Sequence, residues 1–63
     1  MHMLRSIEIF LREMDMPRTK FGRLAARDPR LVDDMRNGRE VGSSVQKKLE
    51  HFMNKTRSER HEA

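Results

Sequence analysis

The sequence predicts an all-α fold of four short helices, and three observations predict it. Apolar residues recur at three- and four-residue spacing along most of the chain. Pro17, Pro29 and Gly38 interrupt that pattern at intervals suited to short helices, and capping residues stand where it resumes. With 63 residues there is room for one domain, which buries only roughly 60% of the surface its unfolded chain exposes. The chain has no Cys, so its core must come from apolar packing or from a second copy of itself.

Helix 1 is expected over about 3–14, where Leu4, Ile7, Phe10, Leu11 and Met14 share one face. Ile9 falls almost opposite that face, where an apolar residue is available to a partner. The helix stops before Met16-Pro17, because proline drives the residue ahead of it out of the helical region. Helix 2 is expected over about 18–26, with Phe21, Leu24 and Ala25 turned inward and Thr19, Lys20 and Arg23 outward.

Asp28-Pro29 is a restart signal: Asp caps free backbone N–H groups, and proline at the first helical position leaves none unpaired. Helix 3 therefore begins at Pro29 and runs to about 37, burying Leu31, Val32 and Met35. Arg30, Asp33 and Asn37 project opposite, with Asp34 and Arg36 on the flanks. Gly38 supplies the left-handed residue that ends it. Ser43 and Gln46 form a capping box for helix 4, expected over about 44–54 with Val45, Leu49, Phe52 and Met53 as its apolar face. The folded domain is thus 3–54, followed by a polar tail at 55–63 that frays or extends helix 4 without packing. One core shared by Leu24, Val32, Met35, Leu49 and Phe52 is expected.

The net charge of +4 is distributed unevenly. Residues 17–40 carry seven basic and four acidic groups, against two and three in 1–16 and five and three in 41–63. A basic excess concentrated in one segment attracts polyanions. No apolar run approaches the roughly 20 residues that span a bilayer, and no basic-then-apolar signal segment is present, so a soluble cytoplasmic protein is expected.

Two helices joined by a tight turn, preceded and followed by a further helix, meet the geometric requirement of helix-turn-helix DNA readers. Within that order, FGRLA, then DPRLVDDMRNGRE, then SSVQKKLEHFM resembles the lambda-repressor-like, Cro/cI-type helix-turn-helix family, over roughly Ile7–Met53. The matching residues are Leu24-Ala25, Val32, Met35, Asn37-Gly38, Arg39 and the Ser-capped last helix. Arg27-Asp28-Pro29 stands where the family's usual turn glycine would be, which marks a compact DPxxVxxxxNGR variant.

The resemblance implies that helix 3 enters the major groove of duplex DNA. Arg30, Asp33, Asp34 and Asn37 then face base edges. Arg30 leads, because a guanidinium pairs with guanine O6 and N7 together. The alternative for Arg30 is an ion pair with Asp34 one turn on. Asp33 and Asp34 add negative charge beside phosphates unless they accept from cytosine or orient an arginine. Thr19 and Lys20 stand at a helix N-terminus, which favours phosphate, and Arg23, Arg27, Arg36 and Arg39 complete a phosphate-binding set.

Other chemistry finds little support. His2, His51 and His61 do not form a ligand set, no Gly-rich phosphate loop or nucleophile–base pair is present, and so small a helical chain offers little concavity for a pocket. No metal, cofactor or catalysis is expected. With three aromatics, all on apolar faces, there is no stacking platform for single strands. The expectation is a bacterial or phage-type transcriptional regulator that binds double-stranded DNA as a homodimer. A protein-binding module of the same fold, such as an antirepressor, antiactivator or antitoxin gripping another regulator, is the alternative.

Overall fold

Left-handed residues and prolines cut the chain into its elements. The computed structural model describes residues 3–61, and within them α1 (Met3–Met14), α2 (Arg18–Ala26), α3 (Leu31–Arg36) and α4 (Ser43–His61) are all helical. There is no strand among the described residues, so the fold is all-α with four helices, as the apolar spacing predicts. The boundaries of α1 and α2 agree with those read from the sequence. Asp15, at φ 51°, turns the chain out of α1, and the Met16 N–H closes the end on the Leu11 carbonyl at 2.9 Å.

The core is built from one or two large side chains of each helix. Ile7 and Phe10 of α1, Phe21 of α2, Leu31 and Val32 of α3, and Leu49 and Met53 of α4 are buried. Phe10, Phe21 and Phe52 form a triangle with ring centroids 5.5–6.1 Å apart and tilted or edge-on planes, the arrangement that aromatic quadrupoles favour. Met35 and Phe52, expected in the core, are half-buried against it.

Leu24 corrects the shared core drawn from the sequence: it is 52% exposed. The inward face of α2 is Phe21, Gly22, Ala25 and Ala26, centred between Gly22 and Ala25, so Leu24 lies well outside it. Small residues on this face let α2 approach the following turn closely. Ile9 is 47% exposed, as expected of its position opposite the core face.

The start of α3 is a second correction. Pro29 and Arg30 form a turn, and the first helical residue is Leu31. Asp28 does supply acceptors: its carboxylate takes the Arg30 N–H and its carbonyl takes the Leu31 N–H, both at 3.0 Å. The helix begins later because those bonds close a tight turn first. At its other end, Gly38 has φ 102°, the Arg39 N–H bonds the Asp34 carbonyl and the Gly38 N–H bonds the Met35 carbonyl. This pair of bonds is the Schellman ending that the Asn37-Gly38 sequence predicts.

The expected capping box at α4 is not formed. Ser43 is already the first helical residue, and the Gln46 side chain donates to the Val41 carbonyl instead. The helix also runs past 54, to His61. Arg57 and Arg60 hold that extension to α1: Arg57 pairs with Glu13 at 2.7 Å and lies 5.3 Å over the Phe10 ring, and Arg60 donates to the Glu13 carbonyl. Much of the expected tail is therefore packed helix. Residues 1–2, with His2, and 62–63 lie outside the described residues.

Candidate nucleic-acid interface

The residues assigned to DNA contact lie on α2, on α3 and in the turns that follow each. Lys20, Arg23 and Arg27 occupy the outward side of α2 and its end, close to exposed Leu24, and Thr19 is exposed at its first turn. No side chain caps the N-terminus of α2, where Pro17 is the last extended residue. Its first backbone N–H groups therefore have no side-chain acceptor at the cap. Arg30, at the entrance to α3, and Asn37, at its exit, are also exposed.

Arg27 stands in the left-handed region at φ 54°, ψ 34°, where it turns the chain out of α2. Its N–H bonds the Arg23 carbonyl and the Asp28 N–H bonds the Gly22 carbonyl, each at 3.0 Å. The backbone does what a glycine would do, at the steric cost of a Cβ. Arg27→Gly is expected to raise stability by about 0.5–1 kcal/mol, the relief of strain less the freedom that glycine gains in the unfolded chain. Chemical denaturation checks this, and a lower midpoint would show that the arginine side chain contributes to the fold.

The acidic residues of α3 are not free carboxylates. Asp33 accepts from Arg18 Nε at 2.5 Å, and Asp34 from Arg39 Nη1 at 3.2 Å. The pairing of Arg30 with Asp34 does not form. Among the described residues Arg30, Arg23, Arg27 and Lys20 have no ion-pair partner. Arg36 turns toward α1 and pairs with Glu8 at 2.8 Å, so it is engaged within the fold.

Arg39 is engaged as well. Its Nη1 reaches Asp28 at 2.8 Å in addition to Asp34, which ties the turn before α3 to the middle of that helix. The Arg39 hydrogen bond, supplemented by the Arg30 N–H, holds the Asp28 carboxyl below its usual value of 3.8, while Asp28 raises the Arg39 guanidinium. A carboxyl with a lowered native pKa stabilises fully above its unfolded pKa and loses that contribution as pH falls through the native one. Asp28→Asn is therefore expected to be less stable than the parent near neutral pH. The difference should shrink as pH falls through the native pKa of Asp28 and vanish below it, where both carry an uncharged group. Denaturant midpoints across pH check this, and a gap that persists in acid would assign the effect to shape instead of charge.

Sequence reading missed Arg18 and Gly22. Arg18 lies on the side of α2 that faces α3, and only the fold brings it to Asp33, fifteen positions away. Gly22 is buried against the turn, and the signal for it was an isolated glycine inside a helical pattern. The chain also has more concavity than expected. An open groove of about 750 Å³ lies between Met3, Leu4, Met35, Val41 and Gln46, with no Ser, Thr, Cys or His among the described residues lining it.

Among the described residues no helix is long and apolar enough to cross a membrane, and no three His, Cys, Asp or Glu side chains are grouped to hold a metal ion. In comparisons with known proteins, no family model, curated protein or solved structure matches the chain.

Proposed function

We propose that the chain is a lambda-repressor-like transcriptional regulator that binds duplex DNA sequence-specifically from the cytoplasm of a bacterial or phage-infected cell, as a homodimer, without catalysis. The observation that carries the reading is the division of charge on the helix-turn-helix unit. Its acidic groups are each held by an arginine, whereas Lys20, Arg23, Arg27 and Arg30 are exposed and unpaired among the described residues. The field that reaches a ligand at this face is cationic, and the uncapped start of α2 adds open N–H donors beside Thr19 and Lys20.

In this reading Lys20, Arg23 and Arg27, with Thr19, bind phosphates, and Arg30 and Asn37 at the two ends of α3 meet base edges. Arg36 and Arg39 support α3 instead. Binding to random duplexes must weaken steeply as salt rises, because each phosphate contact releases counterions. Lys20→Ala should weaken all duplexes alike and lower the salt slope by about one unit. Mobility shifts over a salt series test both, and binding insensitive to salt would overturn the proposal.

One observation favours the second reading, a module that grips another regulatory protein. Leu24 offers exposed apolar surface flanked by cations, which suits an acidic protein partner. The acidic pair Asp33 and Asp34 adds little to it, since both are engaged by arginines.

A further inference from the structure

We infer that Arg18, held by Asp33, reads a guanine as a single preformed unit, so that Asp33 acts as a positioning residue and not as a direct base contact. This rests on the duplex-DNA reading above and names a further specificity residue within it.

Arg18 is the first residue of α2 and points along the side that faces α3, where its Nε meets Asp33 Oδ1 at 2.5 Å. Only Nε is used. Among the described residues neither Nη1 nor Nη2 has a hydrogen-bond partner, and the side chain is half-exposed. A guanidinium is a rigid plane, so fixing one edge orients the other. The free edge carries two parallel N–H donors, which match the O6 and N7 acceptors of guanine.

The charge decides between base and phosphate. Arg18 and Asp33 together are neutral, so the pair gains little from the counterion release that drives phosphate binding. The Asp33 carboxylate would also repel a phosphate placed beside it. What survives neutralisation is the directional donor pair, which neutral base-edge acceptors satisfy. Lys20, Arg23, Arg27 and Arg30, unpaired among the described residues, suit phosphate or base, whereas Arg18 is arranged for a base.

The test is selection of duplexes from a random pool by the full chain, followed by affinities of variants on the selected site. Arg18→Ala is expected to lose about ten- to hundredfold in affinity on that site and to relax one guanine-containing base pair. Asp33→Asn should relax the same base pair while binding unrelated duplexes as well as the parent or better, because a negative charge has been removed. The double variant should lose no more specificity than Arg18→Ala alone. Thermal melts by circular dichroism confirm that each variant is folded, and Arg18→Lys, folded but without the planar donor pair, should behave as Arg18→Ala on that base pair.

The outcomes separate the two readings. A parent that selects no motif overturns the DNA proposal and this inference together. A parent that selects a motif which folded Arg18→Ala or Asp33→Asn retains in full overturns this inference alone. Equal loss by Arg18→Ala on every duplex assigns the residue to phosphate and overturns it too.

Discussion

Phe21→Ala is expected to leave the protein largely unfolded at room temperature. Phe21 is fully buried and lies against both other phenylalanines, with ring centroids 5.7 Å from Phe10 and 5.5 Å from Phe52. Truncating a buried aromatic costs about 3–5 kcal/mol, because the lost transfer energy is joined by a cavity that neighbours only partly fill. A domain of this size has about 3–9 kcal/mol in all. Far-UV circular dichroism with a thermal melt reads the result. Phe21→Leu, which keeps most of the volume, should retain the helical signal. A Phe21→Ala variant that melts like the parent would contradict the aromatic triangle as the centre of the core.

Gly22→Ala is expected to be nearly as damaging, and its sign is diagnostic. In an exposed helix interior, alanine is better than glycine by about 1 kcal/mol. Here an added Cβ would collide with the Asp28 carbonyl oxygen and stand 3.2 Å from its carbon and 3.3 Å from Leu31 Cβ. Backbone cannot swing aside as a flexible side chain can, so α2 must move away from the turn that launches α3. A loss of about 3 kcal/mol or more is expected, with the orientation of α3 disturbed in whatever remains folded. Denaturant titration measures it. A variant more stable than the parent would show that α2 and the turn do not approach each other as described.

These two residues show what was legible in the sequence and what was not. Phe21 is readable because a large apolar residue at helical spacing has few places to go except inward. Leu24 obeyed the same rule and is exposed, since a nine-residue helix with Gly22, Ala25 and Ala26 can bury its small residues and turn the leucine out. Local chemistry carried the breaks well: Pro17 and Asn37-Gly38 end their elements where expected. Asp28-Pro29 predicts a helix start, although the same bonding groups close a turn two residues earlier.

The charged residues were legible as a cluster but not as pairs. Arg18 with Asp33, Arg36 with Glu8 and Arg57 with Glu13 are joined across fifteen to forty-four positions, so no spacing rule reveals them. That matters for the candidate interface. The acids of α3, which add negative charge beside phosphates when free, are engaged once the fold brings their arginines to them, and two of the cations expected on phosphate are engaged as well.

The most direct test of the central claim, that the exposed face of this helix-turn-helix unit reads duplex DNA, is enrichment of bound duplexes from a random pool. The account predicts a shared motif in which Arg30→Ala relaxes one base pair and loses roughly 1–3 kcal/mol on the preferred site, with helicity unchanged. Enriched duplexes without a common motif, retained equally by the parent and by Arg30→Ala, would contradict it.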